Sequence, residues 1–336
     1  MKILLVQTGF LGDTILSTPV IAAIKQLYSD SRLYMLTTPA ARDLVALDPL
    51  LESCLAYDKH DLARGPIGTF MVAQRLKAMQ FDIAYGLHRS FRSAMLLWLS
   101  EIPLRIGFKD SALPFVYHQR RKRLTNAHDV MRNLSLMADD FKEQPPDTTL
   151  RLFAPDRGRL NPGLREVLPP EGEYAVLVPG SVWPTKRWPW QGYRRTAEYL
   201  LEKGKKVVLA GAPSEKDLNR LVAQRLAVTD LTGQTTIAEM MTLVKEAALV
   251  VCNDSMSLHM ASAFKVPTVA VFCATSRDFG FGPWENRAIV VEKDLACRPC
   301  RRHGGRKCPN KTEACMEELP ATEVIEAIEK LRISWA

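Results

Sequence analysis

The sequence is informative first through what it lacks. No stretch approaches the roughly 18 uninterrupted apolar residues that a membrane-spanning helix needs. Met1-Lys2 leads straight into a strand-like segment, without the basic, apolar and small-residue succession of a secretory signal. The expectation is therefore a cytoplasmic chain. Internal repeats and low-complexity tracts are missing, which sets repeat architectures aside. Neither Gly-containing turn continues into the Gly-Lys-Ser/Thr of a Walker loop, and neither fits GxGxxG, which argues against an NTPase or a dinucleotide-dependent oxidoreductase. A helix-turn-helix, an RRM-like aromatic motif and regular zinc-finger spacing are also missing, so nucleic acid is not an expected partner. Cysteines number only seven, and Cys54, Cys252 and Cys273 sit in apolar runs that read as core.

What is present describes a globular protein of ordinary composition. The 336 residues are enough for two domains, 47% are hydrophobic and 24% charged. The net charge of +8 favours an anionic partner: a phosphorylated substrate, an acidic membrane surface or nucleic acid. Part of the excess is clustered in Arg120–Arg123 and in Arg301, Arg302, Arg306 and Lys307.

Strand-like and helix-like segments alternate. In the first half Ile3–Val6, Leu33–Leu36, Ser53–Tyr57 and Ile83–Gly86 read as strands, with helices over Ala40–Leu47, Thr69–Met79 and Phe91–Leu99. Asp13 can cap a helix carrying Leu16, Val20, Ile24 and Leu27 on one face, bent early by Pro19. The alternation breaks at Gln144-Pro145-Pro146-Asp147, a linker candidate followed by one strand (Leu150–Phe153) and a short helix. A second series then places strands at Ala175–Val178, Lys206–Ala210, Leu249–Cys252 and Thr268–Phe272. Its helices are Trp190–Leu201, Lys216–Leu226, Ile237–Ala247, Ser257–Phe264 and Thr322–Leu331. The expected fold class is α/β, with two Rossmann-like doubly wound domains facing a central cleft. The expected bounds are 1–155 and 172–320, with a C-terminal helix in 321–336 that can pack back on the first domain.

Chemistry-bearing residues gather where strands end. Gly9-Phe10-Leu11-Gly12-Asp13 follows the first strand, and Asp13 suits either a helix N-cap or a general base for a substrate hydroxyl. His88-Arg89-Ser90-Phe91-Arg92-Ser93 places Arg89 and Arg92 at the same sheet edge, where with Arg120 and Arg121 they could receive an anionic acceptor. Gly180-Ser181 ends a strand in a turn suited to phosphate, and Lys186 beside Trp183 and Trp188 can supply a point charge to a diphosphate or simply pack its stem on a ring. Glu215 is a ribose-hydroxyl candidate or an ordinary helix start. Asp254, Ser255, Met256 and His259 open a helix whose N–H groups can meet an anion. Cys297, Cys300, Cys308 and Cys315 form C-x2-C-x7-C-x6-C, which allows either free thiols or a tetrahedral structural zinc site.

Taken in order, these segments resemble glycosyltransferase family 9, the heptosyltransferases of the lipopolysaccharide inner core. The matching residues are Gly12-Asp13, His88–Ala94, Arg105-Ile106-Gly107-Phe108, Gly180-Ser181, Lys186-Arg187-Trp188-Pro189, Gly211-Ala212-Pro213 and Asn253-Asp254-Ser255 with His259. Cys315-Met316 is similar to the heptosyltransferase II branch. The resemblance implies a GT-B fold, with the acceptor on the first domain (Gly12, Arg89, Arg92, Arg120, Arg121) and the sugar nucleotide on the second. It implies inverting transfer with no catalytic metal and no required cofactor, Asp13 as base, Lys186 on the diphosphate, and Asp254, Ser255 and His259 in the nucleotide-sugar loop. Met256-Ser257 departs from the Gly-containing stretch common there. The activity so implied is heptose transfer from ADP-heptose to a lipid A–Kdo or heptosylated core acceptor, by a protein peripheral on the cytoplasmic face of the inner membrane. Two alternatives stay open: a family 9 enzyme with another donor or acceptor, and a non-catalytic protein that binds a sugar nucleotide or nucleic acid.

Overall fold

A computed structural model describes residues 1–58, 65–141 and 144–336. The chain divides into two compact units, Met1–Phe153 and Ala154–Ala336.

In the first unit β1 (Lys2–Val6), β2 (Arg32–Thr37), β3 (Ser53–Ala56), β4 (Ile83–Gly86), β5 (Leu104–Phe108) and β6 (Gln119–Arg121) form one sheet in the order β3-β2-β1-β4-β5-β6. Every pairing is parallel, and Val6 lies opposite both Leu36 and Gly86. The helices are α1 (Leu11–Ser17), α2 (Pro19–Leu27), α3 (Pro39–Val45), α4 (Gly65–Ala78), α5 (Phe91–Leu99) and α6 (Asp129–Leu134). Ile3–Val6 is fully buried, as the uninterrupted apolar run requires when helices cover both faces of a sheet. One of its two faces packs Leu4 and Val6 with Ala73 and Leu76 of α4 and Ala94 and Leu97 of α5.

The second unit repeats the plan. Its strands β7 (Tyr174–Val178), β8 (Lys206–Leu209), β9 (Thr229–Asp230), β10 (Leu249–Asn253), β11 (Thr268–Phe272) and β12 (Ala288–Glu292) lie in the order β12-β11-β10-β7-β8-β9, all parallel. Its helices are α7 (Pro162–Val167), α8 (Trp190–Glu202), α9 (Lys216–Ala223), α10 (Ile237–Lys245), α11 (Met256–Ala263), α12 (Ala314–Glu317) and α13 (Ala321–Lys330). Counted within each unit, both sheets have the strand order of the doubly wound dinucleotide folds. Helix α10 begins in a capping box: Glu239 N–H donates to Thr236 Oγ1 at 3.1 Å, and Thr236 N–H donates to Glu239 Oε2 at 2.8 Å.

Two expectations need correction. Pro19 does not bend one helix but starts a new one: it occupies the first turn of α2 after Thr18, where its missing N–H costs nothing. Leu150–Phe153 is not a strand. Arg151 N–H donates to the Thr18 hydroxyl at 2.9 Å, and its guanidinium forks onto buried Asp48 at 3.0 and 2.8 Å, so the segment is held by side chains. The C-terminal helix α13 packs into the second unit. Val324, Ala327 and Ile328 belong to the core of the second unit with Trp188, Leu200 and Val269.

Candidate active site

In each sheet two neighbouring strands send their connections in opposite directions, and ligands of doubly wound folds bind outside the C-terminal ends of such a pair. The pairs are β1 with β4 and β7 with β10. The candidate residues for Asp13, His88, Lys186 and Asp254 all follow these four strands.

At the first switch point β1 runs through Gln7–Phe10 into α1. Asp13 is the third residue of α1, half-buried, and its Oδ2 accepts the Phe10 N–H at 3.1 Å. A side chain at Gly9 would place its Cβ 2.8 Å from that oxygen, so only glycine lets the turn close over the carboxylate. The cap role is thus real, and a carboxylate has acceptor capacity beyond one N–H. Gly12 is the residue before Asp13 within α1. From β4, His88 Nδ1 lies 2.9 Å from Thr8 Oγ1 and 2.8 Å from Ser93 Oγ, with Ser90 Oγ at 3.2 Å. Ser90 also caps α5 by accepting the Ser93 N–H at 3.2 Å. This imidazole–hydroxyl cluster ties the end of β1 to the β4–α5 turn. Sequence reading noticed the cations of that segment but not the cluster, because Thr8 is 80 positions from His88.

The basic residues divide. Arg89 pairs with Asp110, Arg92 sits in the first turn of α5, and Arg120 is exposed on β6. Arg121 is otherwise engaged: it holds Asp139 at 2.6 Å and Asp140 at 2.9 Å. Arg123, beyond the strand, pairs with buried Asp129 at 2.6 Å; burial pulls its guanidinium below the usual value, Asp129 opposes this, and Arg89 and Arg132 add to the lowering.

The second switch point carries the denser polar group. Lys186 Nζ lies 2.6 Å from Asp254 Oδ2, with 13% and 5% of the two side chains exposed. Thr275 Oγ1 donates to the same oxygen at 2.7 Å. Buried Asn253 donates to Pro179 O at 2.7 Å and accepts the Trp188 N–H at 3.0 Å, stitching β10 to the end of β7 and to the Lys186 turn. Arg187 Nε donates to Ser181 O at 2.7 Å. Helix α11 starts at Met256, and Ser255 Oγ is buried without a hydrogen-bond partner at its N-terminus. Ser257 and His259 are buried in the first turns. Met256 is absent from the residues with positive φ, so the departure from glycine there strains nothing. Glu215 has the helix-start role, since its Oε2 accepts the Ala212 N–H at 2.8 Å, and its carboxylate lies so close to Gly180 that a Cβ there would come within 2.0 Å of its Cδ.

The cysteine segment serves this site in a way its spacing did not suggest. Gly305 N–H donates to Thr185 Oγ1 at 2.8 Å, and Thr185 N–H donates to Gly305 O at 3.2 Å, so the segment clasps the turn carrying Lys186. Arg298 spreads its guanidinium over the carbonyls of Cys273, Lys293 and Thr275 and over Glu292 at 2.7 Å. Among the described residues no three Cys, His, Asp or Glu stand together so as to hold a metal ion, and the four thiols are free. Of the two arrangements that the spacing allows, the structure shows the free thiols. Their environments differ: burial pushes the Cys315 thiol up to about 11, while N–H groups of Glu313, Asn310, Thr312 and Lys311 hold Cys308 below the usual value.

Two Rossmann-ordered units, each with its polar residues at the switch point, make the GT-B class of fold. The chain belongs to glycosyltransferase family 9 (heptosyltransferase), whose model matches residues 69–311, and it is a glycosyltransferase. It is 24% identical to a Campylobacter jejuni lipooligosaccharide heptosyltransferase 2 over 98% of both chains. Its fold is similar to the structure of E. coli ADP-heptose lps heptosyltransferase II, with TM-score 0.81, 21% identity and 98% of each chain covered. It is likewise similar to E. coli heptosyltransferase WaaC with ADP-2-deoxy-2-fluoro heptose, with TM-score 0.76, 18% identity, and 98% and 99% of the two chains covered.

Proposed function

We propose that this protein transfers heptose from ADP-heptose to an anionic glycolipid of the lipopolysaccharide inner core, with inversion at the anomeric carbon. The observation that carries the reading is the buried Lys186–Asp254 pair at 2.6 Å, set beside the start of α11 at the second switch point. In this reading the diphosphate of the donor meets the Lys186 ammonium, the Ser181 and Ser255 hydroxyls and the first N–H groups of α11. Charge grows on that diphosphate as the glycosidic bond breaks, so donors already aimed at it lower the barrier. In the same reading the second oxygen of Asp254 and His259 hold a sugar hydroxyl, and Glu215 holds the ribose.

At the first switch point Asp13 accepts the proton of the acceptor hydroxyl as its oxygen attacks the anomeric carbon. A single displacement needs one carboxylate as base and none as nucleophile, in contrast to double-displacement chemistry at sugars. Arg89, Arg92 and Arg120 supply positive charge for an acceptor bearing carboxylates or phosphates, which suits the net charge of +8. The relatives' names and the fluoro-heptose nucleotide in the WaaC structure support heptose and ADP as the donor's parts. Contact with the cytoplasmic face of the inner membrane follows from a lipid-borne acceptor.

The test is product analysis with a donor panel. ADP-heptose, GDP-mannose and UDP-glucose are offered with Kdo2-lipid A or its monoheptosylated form. The reading expects one heptose added from ADP-heptose alone, with the anomeric configuration opposite to the donor's by NMR. Transfer from another nucleotide sugar, or with retained configuration, would overturn it.

A further inference from the structure

We propose that the outward sides of α4 and α5, with Phe115 beside them, form a docking surface for an anionic phospholipid bilayer. This deepens the reading above and rests on it where it concerns a lipid-borne acceptor.

Helices α4 and α5 lie side by side on one face of the first sheet. Ala73, Leu76, Ala94 and Leu97 point into the same core, and Val116 of the Pro114–Val116 turn joins them. A helix that buries one stripe normally presents polar residues on the other. Here the other side carries large apolar residues beside its polar ones: Ile67, Phe70, Met71, Phe91, Trp98 and Phe115 are between 49% and 77% exposed. Ile67, Phe70 and Met71 fall at i, i+3 and i+4, and Phe91 and Trp98 at i and i+7, so each set forms a stripe on its helix. Large exposed apolar side chains gathered on neighbouring elements mark interaction sites.

The chemistry of the surroundings selects the occupant. Neither α4 nor α5 contains a carboxylate, while Arg75, Lys77 and Arg92 are basic. Glu101, just past α5, answers Lys77 at 2.7 Å. Four of the six exposed side chains are aromatic, Phe70, Phe91, Trp98 and Phe115, and such rings settle at the headgroup level of bilayers, where basic side chains meet acidic lipids. Among the described residues no helix is long and apolar enough to cross a membrane, so the contact is a lateral one. Its place is also informative: Phe91 opens α5 directly after His88 and Ser90, so the apolar surface begins at the wall of the first switch point. A lipid-anchored sugar could then reach Asp13 with its acyl chains still in the bilayer.

The experiment is vesicle co-sedimentation of the full chain. Vesicles of phosphatidylethanolamine with phosphatidylglycerol are compared with pure phosphatidylcholine, for wild type, Ile67→Ser/Phe70→Ser/Met71→Ser and Arg75→Glu. Wild type is expected in the pellet with anionic vesicles, and the triple substitution to lower the partition coefficient about ten-fold or more. Arg75→Glu is expected to lower it by less, with an effect that fades at high salt. Both variants should transfer to a deacylated, water-soluble acceptor as wild type does. If the triple variant fails to fold by circular dichroism, Trp98→Ser alone decides, with an expected loss of about three-fold. Wild type remaining in the supernatant, or variants pelleting equally well, would overturn the proposal. So would a wild-type dimer that the triple substitution dissociates without changing vesicle binding, because the face would then join two copies of this chain. Absence of transfer to every acceptor would defeat the proposed reaction instead, and the vesicle result would still decide the surface.

Discussion

At the scale of single residues, the candidate site divides into side chains that announce themselves and side chains that do not. Asp13, Lys186 and Asp254 were legible as candidates because each is a charged residue in or just past the turn that follows an apolar strand, even though Asp13 also caps α1. Thr275 and Arg298 were not, nor was the bond of Asn253 to the Trp188 N–H, because the partners lie far away in sequence: Thr275 is 21 positions from Asp254, and Asn253 is 65 from Trp188. Arg121 shows the opposite error, since an arginine in a basic run looked available and instead holds Asp139 and Asp140. Thr275 has a measurable consequence. Its hydroxyl donates to the Asp254 oxygen that also holds Lys186, and a hydrogen bond to a charged group contributes about 1.5–3 kcal/mol. Thr275→Val should therefore raise the donor KM about ten-fold or more, with Thr275→Ser restoring it. An unchanged donor KM would show that the Thr275 bond does not position the pair.

At the scale of elements, strands buried on both faces were the clearest signal: Ile83–Gly86 and Thr268–Phe272 have the bounds their apolar runs suggested. The strands that sequence reading passed over are the less apolar ones toward the sheet edges, such as Gln119–Arg121 and Thr229–Asp230, where pairing with one neighbour replaces hydrophobic patterning. Leu150–Phe153 fails for the reverse reason. Leu150 and Leu152 are buried, but the Arg151 backbone is tied to Thr18 and its side chain to Asp48. That strap can be tested. Asp48 is 1% exposed in its side chain, so removing it leaves Arg151 partly buried without its partner. Asp48→Ala should lower stability by about 3 kcal/mol in urea unfolding followed at several wavelengths. A loss under about 0.5 kcal/mol would mean that the fork is worth no more than a surface pair.

At the scale of the whole molecule, the two units share one strand order and one rule for placing chemistry, with the candidate side chains following the pair of strands where the order reverses. The alternation of segments made the doubly wound class legible, and the ordered motifs made the family legible. The assignment of α13 to the second unit was not, because a C-terminal amphipathic helix reads the same whichever core receives it. The central claim divides labour between the switch points: Asp13 takes the acceptor proton, and the Lys186 group holds the donor. The most direct measurement is acceptor-dependent ADP release from saturating ADP-heptose by wild type and Asp13→Asn, with donor affinity measured alongside. The account predicts a fall in rate of about 100-fold or more with donor affinity unchanged. An Asp13→Asn protein that turns over at the wild-type rate would contradict it.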